Sequence, residues 1–162
     1  MKAALVGNPN SGKTSIFNLL TGLNQKVGNY PGITVDKKIG VMTSDQGEKI
    51  NILDLPGTYS IYPKSRDEAI VQEILKDKNN PDFPDLVIVI LDVTNLERNL
   101  FLATQIQDLG IPTLLVANMR DVAERKGIVV DFEKLSELLG DIPIVPTSAR
   151  SGEGLKELKE RI

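Results

Sequence analysis

Residues 7 to 14 read Gly-Asn-Pro-Asn-Ser-Gly-Lys-Thr, between an apolar run (Ala3 to Val6) and a run of helical character (Ser15 to Leu20). The pattern G-x-x-x-x-G-K-T restricts the architecture severely, because it works only as a loop that leaves a strand and enters a helix. Backbone N–H groups of such a loop turn inward around a phosphate, and the helix start behind them adds partial positive charge. Gly7 and Gly12 permit the tight curvature, Lys13 brings a point charge to the β- and γ-phosphates, and the Thr14 hydroxyl is offered to Mg²⁺. The candidate phosphate site is therefore Gly7, Asn8, Pro9, Asn10, Ser11, Gly12, Lys13, Thr14 and Ser15.

The rest of the chain alternates strands and helices. Strands are expected at Lys2–Val6, Lys37–Thr43, Lys49–Asp54, Leu86–Asp92, Thr113–Ala117 and Pro143–Val145, and helices at Lys13–Leu20, Asp67–Lys76, Leu96–Leu109, Phe132–Leu139 and Gly154–Arg161. The run Leu-Val-Ile-Val-Ile-Leu is apolar on both faces, as a parallel strand covered by helices on both sides must be. Lys37–Thr43 and Lys49–Asp54, joined by Ser-Asp-Gln-Gly-Glu, read as a hairpin. Gly22, Gly110 and Gly140 fit helix stops, and Asp77 to Asp85 reads as a surface excursion. The expected fold is a single α/β domain over residues 1–162. Its six-stranded, mostly parallel sheet has one antiparallel edge strand and helices on both faces, with the ligand beyond the carboxyl ends of the strands.

Composition narrows the chemistry. The chain has neither cysteine nor histidine, which removes disulfides, thiolate metal sites and the usual general base. Any catalysis must rest on positioning, charge and a hard cation. A net charge of −3 argues against a broad nucleic-acid-binding face. The longest apolar run, Leu86 to Leu91, is far shorter than a membrane span, and Met1-Lys2 leads straight into a strand rather than a signal peptide.

Four further segments fall where this sheet would present loops at the same end. Gly28-Asn29-Tyr30-Pro31-Gly32-Ile33-Thr34 precedes the second strand, and the Thr34 hydroxyl is a candidate to complete Mg²⁺ coordination while Gly32 and Ile33 border the γ-phosphate. Asp54-Leu55-Pro56-Gly57 closes the third strand; Asp54 would hold a magnesium water and the Gly57 N–H would face the γ-phosphate. Asn118-Met119-Arg120-Asp121 ends an apolar strand. A carboxylate there accepts from guanine N1–H and N2–H₂, a donor pair that adenine lacks, so Asp121 selects guanine and Asn118 holds its loop against the phosphate loop. Finally, Thr147-Ser148-Ala149-Arg150 follows the sixth strand, where Ser148, Ala149 and Arg150 would border the base and the Ala149 N–H would meet guanine O6. Each segment alone also fits an ordinary turn or cap; their order is what carries weight.

That order resembles the translation-factor-related GTPases, and the details resemble the N-terminal G domain of the ferrous iron transport protein B (FeoB) family. The matching pieces are Gly-Asn-Pro-Asn-Ser-Gly-Lys-Thr, Val-Gly-Asn-Tyr-Pro-Gly-Ile-Thr-Val, Asp-Leu-Pro-Gly-Thr-Tyr-Ser, Asp-Val-Thr-Asn-Leu-Glu-Arg-Asn-Leu and Asn-Met-Arg-Asp, spread over residues 2 to about 160. The resemblance implies a Ras-like G domain of the P-loop NTPase class that binds GTP and GDP, hydrolyses GTP slowly without an activating cation or partner, and uses Mg²⁺. It implies two switches, about residues 24–36 and 54–68, and catalytic roles for Asn10, Lys13, Thr34 and Gly57. Where many small GTPases carry a water-orienting glutamine, this chain has Thr58. An asparagine at the position of Asn10 helps some relatives bind K⁺, here with the carbonyls of Gly28 and Tyr30. Met119 stands where lysine is usual, which predicts a weaker nucleotide grip.

The resemblance also implies that the chain is a fragment of a longer membrane protein, lying at the cytoplasmic face of a bacterial inner membrane. Downstream helical and membrane domains, and small accessory iron-transport proteins, are the implied partners, without nucleic acid. A soluble GTPase of ribosome assembly or RNA modification and a nucleotide-gated binding module with negligible turnover are the alternatives. On the helix after Asn95, the apolar positions read as core and Arg98 and Asn99 as a solvated face. Tyr30 reads as a loop aromatic without a dedicated ligand, either stacked on a neighbour or shielding the first switch.

Overall fold

The computed structural model describes residues 1–23, 25–30 and 34–162. Its elements are β1 (Lys2–Gly7), α1 (Lys13–Thr21), β2 (Gln25–Asn29), β3 (Asp36–Thr43), β4 (Lys49–Asp54), α2 (Arg66–Lys76), β5 (Leu86–Asp92), α3 (Leu96–Gln107), β6 (Thr113–Asn118), α4 (Arg120–Arg125), α5 (Phe132–Leu138), β7 (Ile144–Pro146) and α6 (Leu155–Arg161). One sheet runs in the order β2-β3-β4-β1-β5-β6-β7. Strands β4, β1, β5, β6 and β7 run parallel to one another, and β3 is antiparallel to both β2 and β4.

Side-chain alternation along the central strands builds two cores. In β1 and β5, Ala4, Val6, Val87, Val89 and Leu91 face a cluster with Val71, Ile74, Leu102 and Ile106 from α2 and α3. The intervening Ala3, Leu5, Ile88 and Ile90 face a second cluster with Ile16, Phe17 and Leu20 of α1 and Leu158 of α6. Burial on both faces is what a parallel strand between two helical layers requires. Gly22, Gly110 and Gly140 end their segments at φ 59°, 69° and 80°, the left-handed conformation that glycine adopts without penalty.

The sheet has seven strands rather than six. The additional strand, β2, takes the edge, so the reversed strand β3 lies one place inside it. All five β2 residues are exposed, so Gln-Lys-Val-Gly-Asn carries no apolar alternation and reads as a loop. Helix α4 was likewise not expected. It starts inside the Asn118–Asp121 motif and buries only Ala123, leaving no periodic face to read. The excursion 77–85 is more than a surface loop: Asp82 pairs with Lys37 of β3, Lys2 donates to the Pro81 carbonyl, and Phe83 packs on the core.

Parallel registry brings the motif ends into line. Leu5 lies opposite Asp54, Gly7 opposite Ile90, Asp92 opposite Asn118, and Ala117 opposite Pro146. The phosphate loop, Asp54, Asn118 and Thr147 therefore share the carboxyl edge of the sheet. Helix α1 is seated against β3 with little room, since a Cβ on Gly40 would lie 2.3 Å from the Thr21 methyl. Thr21 is buried and its hydroxyl donates to the Phe17 carbonyl at 2.9 Å, so it cannot swing away. Gly40→Ala is expected to cost about 1–3 kcal/mol of stability, read as a lower urea midpoint at unchanged slope.

Candidate functional site

The phosphate loop is shaped by contacts that exclude a side chain at two positions. A Cβ on Gly7 would lie 2.8 Å from both the Ile90 carbonyl oxygen and Ser11 Oγ. A Cβ on Gly12, at φ 87°, would lie 2.2 Å from Asn118 Nδ2. Asn10 also takes a left-handed conformation, φ 65°, which asparagine tolerates better than most residues. A cleft of about 490 Å³ opens above the loop, lined by Asn8, Pro9, Asn10, Gly12, Lys13, Thr14, Ser15 and Gly57. Gly12 caps α1, so the N-terminal amides of that helix face the cleft, and Thr14 and Ser15 are exposed to it. The second switch adjoins directly: the Thr58 N–H donates to the Gly7 carbonyl at 3.1 Å, and a Cβ on Gly57 would lie 3.4 Å from Pro9.

Asn118 ties the loops together. It is 1% exposed. Its Nδ2 donates to the Ser11 carbonyl at 2.9 Å, and its Oδ1 accepts from the Ala149 N–H at 3.0 Å and Thr147 Oγ1 at 3.4 Å. Ser148 Oγ donates to Asp121 Oδ1 at 2.9 Å, and Arg125 reaches Asp121 Oδ2 at 3.3 Å. The Asp121 carboxylate is thus oriented at the mouth of an opening of about 650 Å³ that it shares with Arg150 and Ser151. Met119 has φ 65°, and its Cε comes within 3.9 Å of the Cβ position of Gly12. The thioether end therefore spans the gap between the base-reading and phosphate loops.

Beside the cleft, Lys13 Nζ forms an ion pair with Asp54 Oδ1, and both side chains are largely buried. Each group thereby compensates the other's desolvation. The pair uses one ammonium donor and one carboxylate oxygen, so Lys13 keeps donors for a phosphate and Asp54 keeps Oδ2 for a metal-bound water. The donor set fits Mg²⁺, which takes one hydroxyl and one carboxylate and leaves its other positions to phosphate oxygens and water. Thr14 and Asp54 would hold it. Among the described residues no group of three or more histidine, cysteine, aspartate or glutamate side chains could hold a metal ion.

The first switch is placed differently from its neighbours. Thr34 is exposed, and Gly28 lies in β2 opposite Lys37. Gly32 and Ile33 lie outside the described residues. Tyr30 is not an exposed aromatic. It is 6% exposed and packs into the core that contains Leu53 and Leu55, with Lys37 over its ring at 5.7 Å. Burial, and then the nearby carboxylates of Asp82 and Asp54, push its phenol well above the ordinary tyrosine range. Its hydroxyl has no partner among the described residues.

The α3 face holds what sequence reasoning missed. Asn99 is 2% exposed and structural: its Oδ1 accepts from the Asp92 N–H at 3.1 Å and its Nδ2 donates to the Asn95 carbonyl at 2.8 Å. Arg98 stacks over the Tyr59 ring at 4.0 Å. Gln105 Oε1 accepts from Ser60 Oγ at 2.9 Å and from the Ile61 N–H at 3.1 Å. The spacing of Arg98 and Gln105, two helical turns apart, was the available signal.

Comparison with known proteins agrees with this arrangement. The family profile described as ferrous iron transport protein B matches residues 1–162. The chain belongs to that family. The Fe(2+) transporter FeoB of Leptospira biflexa is 51% identical over 156 residues, covering 96% of this chain and 22% of that protein. This FeoB-family chain therefore spans about a fifth of that relative's length. The crystal structure of the G domain of T. maritima FeoB superposes with a TM-score of 0.89 at 45% identity, covering 99% of this chain and 95% of that one. The cytosolic domain of the same protein in a GDP form gives 0.92 at 45% identity, covering 99% and 61%. The fold is thus that of the FeoB G domain.

Two outcomes follow from the geometry. Asn118→Ala strands the Ser11 carbonyl and the Ala149 N–H, and is expected to lower stability by about 1–3 kcal/mol, measured by chemical denaturation. Tyr30→Phe removes a buried hydroxyl that bonds to nothing among the described residues. It is expected to be neutral or stabilising by up to about 1 kcal/mol in the same assay.

Proposed function

We propose that this G domain binds GTP and GDP with Mg²⁺, hydrolyses GTP, and serves as the nucleotide-responsive regulatory part of a ferrous iron transporter. The observation that carries the reading is the Asn118 amide, which joins Ser11 of the phosphate loop to Ala149 of the base loop. Phosphate binding and guanine recognition would thereby share one continuous site. Gly7 to Ser15 would cradle the phosphates, Asp121 would accept from the guanine N1–H and N2–H₂, and Ala149 would meet O6. Thr34, with Gly32 and Ile33, would close over the γ-phosphate and Mg²⁺, and Arg150 would flank the base.

Hydrolysis on this chain would depend on charge and positioning. Thr58 is fully buried and its hydroxyl donates to the Ser60 carbonyl at 2.6 Å, so it cannot take the place of a water-orienting side chain. Backbone N–H groups of Gly57 and Thr34 would set the water in line. Lys13, together with K⁺ held by Asn10 and the carbonyls of Gly28 and Tyr30, would neutralise charge on the transferring phosphoryl group. Asn10 lines the phosphate cleft and is held left-handed there, which supports its part in that site. The switch would act on the iron pathway through the downstream helical and membrane domains of the longer protein, at the cytoplasmic face of the membrane.

Binding of GDP against ADP tests the nucleotide reading, with Asp121→Asn expected to favour xanthine over guanine nucleotides; tight adenine binding would overturn it. Single-turnover hydrolysis in K⁺ should exceed that in Na⁺ by at least about tenfold, roughly 1.4 kcal/mol of barrier, and Asn10→Ala should erase the difference. Equal rates in the two salts would remove K⁺ from the mechanism.

A further inference from the structure

The second switch is fastened to α3 by contacts that take no part in nucleotide binding. A single side-chain oxygen, Gln105 Oε1, accepts both the Ser60 hydroxyl and the Ile61 N–H, at 2.9 and 3.1 Å. The Ser60 hydroxyl accepts in turn from the Tyr62 N–H at 3.1 Å. Two helical turns earlier on the same face, the Arg98 guanidinium lies 4.0 Å from the centre of the Tyr59 ring, within cation–π range. The segment is therefore held by α3 over three consecutive residues, Tyr59, Ser60 and Ile61.

The same arrangement leaves a polar group unsatisfied on the phosphate side. Asn8 lines the phosphate cleft together with Gly57 and is 4% exposed, yet neither Nδ2 nor Oδ1 has a partner among the described residues. A buried amide without partners is costly, and Gly57, at the start of the segment that α3 holds, lines the cleft beside it.

Resting on the GTPase reading above, we propose that Gln105 and Arg98 are positioning residues that latch the second switch to α3, and that GTP binding trades this latch for partners at Asn8 and the γ-phosphate. The latch then sets the free-energy gap between the two switch states. A ligand shifts such an equilibrium only by its differential affinity for them, so GTP must pay to open the latch while GDP, lacking the γ-phosphate, leaves it closed.

The test uses Gln105→Ala and Arg98→Ala, each with Tyr62→Trp as reporter, since the chain has no other tryptophan. With Mg²⁺, Gln105→Ala should bind a non-hydrolysable GTP analogue about tenfold more tightly, as the loss of two modest hydrogen bonds predicts, with GDP affinity unchanged. Arg98→Ala, at an exposed position that folding tolerates, should move in the same direction by a smaller factor. Without any nucleotide, Gln105→Ala should speed amide exchange at Ile61 and Tyr62. An equal change for both nucleotides would make Gln105 merely structural and overturn the proposal, as would unaltered exchange. Should neither nucleotide bind any variant or the parent chain, the GTPase reading fails, while the exchange measurement still decides whether the latch exists.

Discussion

The Asn118 carboxamide holds together loops that lie far apart along the chain. The phosphate loop leaves β1, the base-reading loop leaves β6, and the Thr147–Arg150 loop leaves β7, and parallel registry brings these ends only to the same edge. The base-reading and Thr147–Arg150 loops are also joined by Ser148 and by backbone bonds, and the phosphate loop is drawn to both by one buried amide using its donor and its acceptor face. In a low-dielectric interior each of those bonds is costly to leave unmade, so the arrangement is strongly specified. It also dictates Gly12, because a side chain there would overlap the Asn118 nitrogen. The glycine that lets the loop curve is thus the glycine that lets the clamp close.

The two ends of the site are built differently. Around the base, Asn118, Ser148 and Asp121 form a satisfied hydrogen-bond chain. Around the γ-phosphate, satisfaction is provisional. Lys13 is paired with Asp54, the Asn8 amide has no partner among the described residues, Thr34 is exposed, and the second switch leans on α3. Recognition of a base needs rigid, pre-oriented groups. Response to a phosphate needs two arrangements of similar free energy, and weakly satisfied contacts provide them.

Most of the framework was legible because parallel strands must be apolar on both faces and amphipathic helices must bury one. β5 and α3 announce themselves for that reason. β2 did not, since an exposed edge strand has no pattern to display, and its discovery moved the reversed strand one place inward. α4 was hidden because six residues with one buried alanine make no periodicity. The candidate site's members were also readable, since they lie in motifs of near-fixed spacing, and the structure brings the phosphate loop, Asp54, Asn118 and Thr147 to one edge of the sheet. The roles of Tyr30, Asn99 and Gln105 were not. Nothing in a local window distinguishes a tyrosine that anchors a switch in the core from one that waves in solvent, or a helical glutamine that grips a loop from one that is solvated.

The sequence by itself determined the family and the alternating α/β plan and named the candidate phosphate, base and metal contacts, because each rests on local covalent order: glycines where a loop must curve, motifs in a fixed order, apolar runs where a strand is covered. Tertiary structure alone decided which groups are already engaged. Lys13 holding Asp54, Gln105 holding Ser60 and Ile61, and Asn8 left without a partner among the described residues all join or separate residues far apart along the chain. Such pairings depend on the registry of strands and the tilt of a helix. Those are set by the packing of the whole core, and no short stretch of sequence carries them.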